Sequence, residues 1–198
     1  TVLTACTVGA PLLYASFDMG RDLNASRRNS SEPLSKGMFL VARGVMKDPH
    51  FHKTVIYLIS YNALGAKGIV VNRPSRVTLS EALPQLEWLK GSLLPLSWGG
   101  PVEDTRLMLL ALTKEPIFGA EHIKGDLYAG GEILDFKALL DSGGVEIKAV
   151  RAFGGYAGWA PGQLDLEVAR GWWRVIEAPE TYIFRETDNL WFKLTGRP

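Results

Sequence analysis

"GGYAGWAPGQLDLE", residues 154–167, places four glycines and two large aromatics in its first nine positions and then turns helical. The preceding "VEIKAVRAF" (145–153) alternates apolar and polar residues before becoming apolar, the pattern of a half-buried strand. From about Gln163 to Arg170 the chain reads as a short helix, with Pro161 suited to its first turn. A glycine-rich connection between a strand and a helix is where phosphate-binding loops occur, because free backbone N–H groups and the helix dipole attract an anion. The spacing does not fit. Gly154-Gly155-Tyr156-Ala157-Gly158 lacks the G-x-G-x-x-G of a dinucleotide fingerprint, and Gly162 is followed by Gln163-Leu164, not by the Lys-Ser/Thr of a P-loop. Asp165 and Glu167 near the helix start would also repel the anion. The segment therefore reads as a rigid turn in which glycines permit positive φ or close approach. Tyr156 and Trp159 either plug the core or wall a pocket.

Working outward, "GMFLVA" (37–42) and "KTVIYLIS" (53–60) read as buried strands, the second rich in β-branched and aromatic residues. "IVVN" (69–72) follows a glycine-containing connector, which predicts a hairpin with a loop longer than two residues. "TLSEALPQLEWL" (78–89) predicts a helix that opens on a Thr78/Glu81 capping box and is ended or interrupted at Pro84. "RLMLLAL" (106–112) is a strand. "EILDFKALLDSGG" (132–144) is a helix stopped by Gly143-Gly144, with Ile133, Phe136, Leu139 and Leu140 on one face. "WWRVIEA" (172–178) predicts a strand and "TDNLWFKL" (187–194) a final helix. Strands and helices interleave without regular βα alternation, which favours α+β.

A chain of 198 residues suits a single domain, and its 46% hydrophobic and 22% charged residues are globular in balance. Its formal net charge of +1 argues against binding nucleic acid through bulk charge, and neither a helix-turn-helix pattern nor a basic helix is present. The only cysteine is Cys6, which leaves no intramolecular disulfide, cysteine-based zinc site or thiol nucleophile in the body of the chain. Residues 1–36 are set apart from a domain at 37–198. "TVLTACTVGAPLLYAS" reads either as part of a secretory segment, with "LTAC" resembling a lipoprotein box at Cys6, or as an apolar arm of a soluble protein. It is too short for a membrane-spanning helix. Residues 18–36, polar and with four serines, read as a linker.

Three further stretches carry polar side chains at element ends. Asn72-Arg73-Pro74 closes a strand, where a guanidinium can clamp a carboxylate in two-pronged fashion or simply be solvated in a turn. Gly99-Gly100-Pro101 is tight-turn chemistry ahead of Arg106. In "KDPHFH", Asp48, His50 and His52 would share a face if extended, a mixed nitrogen and oxygen set that Pro49 and a surface position turn toward solvated histidines. There is no G-x-S-x-G and no H-E-x-x-H.

Taken in order, "DPHFHKTV", "GAKGIVVNRP", "GGPVEDTR" and "GYAGWAPGQLDLE" closely resemble the YqgE/AlgH family, from about Gly37 to Trp191. The resemblance implies a single α+β domain with a bifurcated, mainly antiparallel sheet, part of it closed into a small barrel and surrounded by helices. It implies no established reaction and no cofactor. The family has carried the label of a transcriptional regulator linked to alginate control, and direct DNA binding is not expected here. It implies a cytoplasmic protein, whereas the apolar N-terminus points to export, periplasmic or membrane-tethered. Two departures stand out. Members commonly end the strand matching "YLIS" in Glu-His or Cys-Glu-His, where this chain has Ser60-Tyr61. Many also end the strand matching "RLMLLAL" in His, where Ala111-Leu112 stand. No role of those residues carries over.

The functional expectation is a non-enzymatic binding or regulatory protein. Its groove is lined by Asn72, Arg73, Arg106, Tyr156, Trp159, Gln163 and Glu167, and takes a small anionic ligand or a protein partner. Two other readings stay open. One is a hydrolase or transferase with Glu167 or Asp48 as general base and an arginine steering an anion. The other is a purely structural or interaction protein whose aromatics are core.

Overall fold

A computed structural model describes residues 32–185 and 189–196. The apolar segment and most of the linker, residues 1–31, lie outside the described residues. The glycine-rich stretch turns out to be mostly strand. β9 runs from Val150 to Trp159, so "GGYAGW" lies inside it and is not a loop. Its predecessor is shorter than its alternation suggests, since residues 147–149 form a 3-10 turn.

The other strands are β1 (Phe39–Ala42), β2 (Val55–Asn62), β3 (Gly65–Val70), β4 (Pro74–Thr78), β5 (Pro95–Trp98), β6 (Val102–Leu112), β7 (Ala120–Lys124), β8 (Leu127–Gly130) and β10 (Trp173–Ile176). The helices are α1 (Leu79–Ala82), α2 (Ile133–Asp141), α3 (Gln163–Ala169), α4 (Tyr182–Arg185) and α5 (Leu190–Thr195). Ten strands form one mainly antiparallel sheet in the order β10-β1-β2-β3-β9-β6-β8-β7, with β4 and β5 off this path.

β9 explains the branching. Ala152, Phe153 and Gly154 pair with β5 in parallel on one edge, while Leu109, Met108 and Leu107 of β6 pair with the same three residues on the other. Beyond the glycines, Ala157, Gly158 and Trp159 take β3 on the edge that β5 has vacated. The segment "GGP" (99–101) crosses at this fork. The Gly99 N–H donates to the Gly154 carbonyl at 2.7 Å, and the Gly99 carbonyl accepts from the Val70 N–H at 2.8 Å. A Cβ on Gly155 would lie 2.4 Å from the Gly100 carbonyl oxygen. The glycines thus let two backbones cross in contact.

The sheet curls but does not close into a barrel. No ladder joins the end strands β7 and β10 among the described residues. Side chains bridge them instead: Lys124 pairs with Glu177, and the Lys36 ammonium reaches Glu121 at 3.1 Å and the His122 carbonyl at 3.0 Å. The His122 carbonyl of β7 is thus met by an ammonium group and not by another strand.

Alternation of side chains builds the cores. Phe39, Val41, Val55, Tyr57, Ile69, Leu110 and Phe153 point into the concave face, where Ile183, Leu190, Trp191 and Leu194 plug one end. The intervening Leu40, Ile56, Leu58, Val70 and Ala157 take the opposite face, where they cluster with Trp173 and Val175 of β10 and with Leu164 of α3. Leu109, Ala111, Val150 and Ala152 pack under α1 and α2. α2 buries Phe136 as its period requires, and Gly143 at φ +74 ends it. The Gly144 N–H bonds to the Leu139 carbonyl and that of Gly143 to the Leu140 carbonyl, a Schellman close.

Other expectations shift. The Thr78/Glu81 capping box forms, but α1 is a single turn, because Pro84 follows and only a 3-10 turn resumes at Glu87–Leu89. Hydrogen bonding to the Thr78 backbone and hydroxyl holds the Glu81 carboxyl below the usual carboxylate range. The β2–β3 hairpin has only Ala63 and Leu64 between the paired Asn62 and Gly65. The strands extend further toward each other than composition suggested. The Asn62 side chain accepts from the Leu64 N–H at 2.8 Å and stabilises the tight turn.

Candidate functional site

A groove of about 690 Å³ opens at the end of the concave face opposite to the plug formed by α4 and α5. Its inner wall continues the core with Ile59, Met108 and Ala129. The tip of the β2–β3 hairpin, where Leu64 is 86% exposed, borders the mouth together with Gly119 and Glu121. Tyr156 and Gly158 of β9, Lys67 of β3 and Val102 of β6 form its floor and rim. This volume lies within the range of about 300–1,000 Å³ usual for small-molecule pockets.

Local structure places each rim residue. On β3, Gly65, Lys67 and Ile69 share the concave face, so Lys67 is the cation two positions before the core residue Ile69. Its ammonium lies 5.2 Å from the centre of the Tyr156 ring. On β6 the pairing with β9 jumps from Val102–Tyr156 to Leu107–Gly154, which throws residues 103–106 into a bulge. Within it Glu103 has φ +47, a left-handed conformation rare outside glycine. Its carboxylate accepts from Arg106 Nη1 at 2.9 Å and from the Tyr156 hydroxyl at 3.4 Å. The Arg106 hydrogen bond holds the Glu103 carboxyl below the usual carboxylate range, and Glu103 in turn raises the guanidinium further. Partial desolvation and then the Glu103 charge push the Tyr156 phenol up.

The seven residues expected around one groove fall in three places. Tyr156 lines the groove, which Trp159 also borders, with Arg106 beside Tyr156 through Glu103. Trp159, Gln163 and Glu167 form a second group, in which the Trp159 indole is buried beneath α3. Glu167 Oε2 accepts from the indole N–H of Trp159 at 2.9 Å and from that of Trp173 at 2.8 Å. Its Oε1 accepts from the Gln163 amide at 3.0 Å, and the two indoles meet edge to face at 6.1 Å. A carboxylate taken up by three donors is a fastener between β9, α3 and β10.

Asn72 and Arg73 lie at the far end of β2 and β3 from the groove. The buried Asn72 side chain accepts from the Val55 N–H at 2.7 Å and donates to the Lys53 carbonyl at 2.9 Å. It thereby holds Lys53 at φ +55, with the Lys53 ammonium over Trp191 and Phe192. Arg73 is exposed and donates to the His52 carbonyl. Replacing Asn72 by Ala is expected to lower unfolding stability by about 2–3 kcal/mol, because the buried Val55 N–H loses its acceptor. Urea denaturation measures this. Asn72→Asp, which keeps the acceptor and loses the donor, should fall between wild type and Asn72→Ala.

The segment 48–53 is a series of turns, so Asp48, His50 and His52 do not line up along a strand. Asp48 accepts from the backbone N–H of His50 at 2.8 Å and meets its Nδ1 at 3.1 Å. Among the described residues no group of three His, Cys, Asp or Glu side chains is disposed to hold a metal ion. Nor is any helix among them long and apolar enough to cross a membrane.

Lys67 and Glu103 escaped the reading of the sequence. Strand alternation from Ile69 back to Lys67 would have placed the lysine on the concave face. Nothing in "PVEDTR" signals the bulge or the left-handed glutamate. The β7–β8 hairpin also had a signal, Gly125-Asp126 between "EHIK" and "LYAG", with Gly125 at φ +55.

A family model described as AlgH-like matches residues 39–197. A UPF0301 protein of Chlorobium luteolum is 31% identical over 164 residues, covering 82% of this chain and 85% of the relative. A UPF0301 protein of Rhodococcus opacus is 36% identical over 155 residues, covering 77% of each. The solution structure of the AlgH protein from Pseudomonas aeruginosa superposes with a TM-score of 0.66 at 30% identity, over 82% of this chain and 88% of that one. A crystal structure from Corynebacterium diphtheriae, 23% identical, shares the fold with a TM-score of 0.70 over 91% of this chain and 95% of that one.

Proposed function

The chain belongs to the AlgH-like family, and from that premise we propose that it is a non-enzymatic binding protein whose ligand seat is the groove at the open mouth of the curled sheet. The observation that carries this reading is the groove itself, in which three of the four family-like segments meet. Gly65–Lys67 come from "GAKGIVVNRP", Val102 from "GGPVEDTR", and Tyr156, Gly158 and Trp159 from "GYAGWAPGQLDLE". An inner wall of Ile59, Met108 and Ala129 beneath a polar rim suits a small molecule with an apolar body. Against a hydrolase or transferase stands Glu167, whose oxygens are occupied by two indoles and an amide. Against a purely structural protein stands Tyr156, half-buried beside open space.

N-phenyl-1-naphthylamine, an uncharged fluorophore that brightens in apolar sites, is the test probe. It is expected to bind the folded protein saturably with a stoichiometry of one. Gly158→Leu serves as a plug. Gly158 is exposed on the groove and not in the left-handed region, and its Cβ would meet nothing closer than the Tyr156 ring at 3.4 Å. That variant should melt at the wild-type temperature and lose the fluorescence rise. Absence of saturable binding to the wild type, or binding that Gly158→Leu leaves intact, would overturn the reading.

A further inference from the structure

The strained bulge of β6 sets the Glu103 carboxylate against Arg106 and the groove residues Tyr156 and Lys67, and this arrangement says what the rim is shaped to hold. Glu103 spans Arg106 with one oxygen and the Tyr156 hydroxyl with the other, at 2.9 and 3.4 Å. The Lys67 ammonium stands over the same tyrosine ring at 5.2 Å and adds to the positive field at Glu103. Two cations and a phenol thus converge on one carboxylate beside an apolar cavity. The Arg106 and Glu103 side chains are 62% and 48% exposed, and an ion pair so open to water is weak and readily exchanged. The carboxylate that lines the groove itself, Glu121, is already paired with Lys36. Glu132 acts on Arg106 only from farther away.

We propose that Lys67, Arg106 and Tyr156 form a head-group subsite for the anionic end of an amphipathic ligand, a carboxylate or sulfonate, and that Glu103 is the placeholder this group displaces. The proposal rests on the groove being the ligand seat and adds the ligand's charge and orientation: apolar body against Ile59 and Met108, anion at the rim. Displacement leaves the charge of the subsite balanced, since one carboxylate replaces another. It also frees Glu103 to turn toward solvent. Arg106 suits the task better than a lysine would, because its planar fork meets both oxygens of a carboxylate.

The experiment compares 8-anilinonaphthalene-1-sulfonate with uncharged N-phenyl-1-naphthylamine, two probes of nearly the same apolar body. Each is titrated into the wild type, Glu103→Gln and Arg106→Gln. Removing the placeholder's charge with Glu103→Gln should raise the ratio of sulfonate to neutral-probe affinity by about three- to tenfold. Arg106→Gln should lower that ratio by about tenfold, the scale of one lost charge-assisted hydrogen bond. Thermal melts of each variant accompany the titrations, and the ratio cancels any general loosening of the groove. If the neutral probe binds while the ratio stays the same in both variants, the head-group subsite falls and the groove reading survives. If Glu103→Gln lowers the ratio, Glu103 is part of the ligand site and not its placeholder. If neither probe binds the wild type, the groove reading falls and takes the subsite with it.

Discussion

Gly100→Ala is expected to abolish cooperative folding, with a loss above about 4 kcal/mol. Gly100 sits at the fork with φ +153, and a Cβ there would lie 2.1 Å from the Tyr156 carbonyl carbon and 2.2 Å from its oxygen. Both atoms are backbone, so no side-chain rotation relieves the clash. Moving them would break the pairing of Val102 with Tyr156 and disturb the adjoining β3 ladder at Ala157. Gly91→Ala is the control. That glycine also has positive φ, at +78, but nothing lies within 4 Å of its Cβ position, so only backbone strain of about 1 kcal/mol applies. Circular dichroism melts of the pair separate steric exclusion at the fork from the general cost of a left-handed alanine. A normal melt for Gly100→Ala would mean that the crossing is looser than the contact distances describe.

The second large effect concerns Glu167. Substitution by Ala should destabilise the fold by about 3 kcal/mol, because the indole N–H groups of Trp159 and Trp173, two side chains 7% and 2% exposed, both lose their acceptor. Glu167→Gln retains an oxygen that can accept from the indoles and gives up only the charge, which should cost about 1 kcal/mol. Chemical denaturation gives both values, and tryptophan emission reports whether the two rings keep their edge-to-face contact. A catalytic role would have the opposite signature: two stable variants, each unable to turn over a substrate. Equal stability of wild type and Glu167→Ala would refute the fastening role.

What could be read in the sequence was whatever depends on short-range physics. The period of Ile133, Phe136, Leu139 and Leu140 marks α2, and Gly143 stops it where expected. Thr78 and Glu81 form the capping box that their spacing announces. Family-like segments indicated α+β architecture and a branched antiparallel sheet, and the described ladders agree. The glycines of β9 were misjudged for a physical reason. Local sequence reports that a residue lacks a side chain but not which distant backbone needs the space, and Gly155 makes room for Gly100, 55 positions earlier. The same limit hid the grouping of site residues. Asn72, Glu167 and Tyr156 all stand in motif segments, yet one holds a turn at Lys53, one joins two tryptophans and one faces a groove. Polar residues at element ends look alike until the strands are assembled. The barrel expectation failed at a similarly non-local point, because closure depends on whether the first and last strands of the curl meet.

That unclosed seam has a mechanical consequence. In a closed barrel, strand number and stagger set the bore, and every strand is restrained along both edges. Here the wall of the groove ends at β7, which is laced on one side to β8 by backbone bonds and on the other to the opposite lip by Lys36 and Lys124. Those laces are ionic and water-exposed, so dissolved salt slackens them while leaving the ladders untouched. The free flank of β7 is thus held by exposed charges, so its amide protons are expected to exchange ahead of those in β9, and increasingly so as ionic strength rises, which hydrogen exchange at two salt concentrations measures.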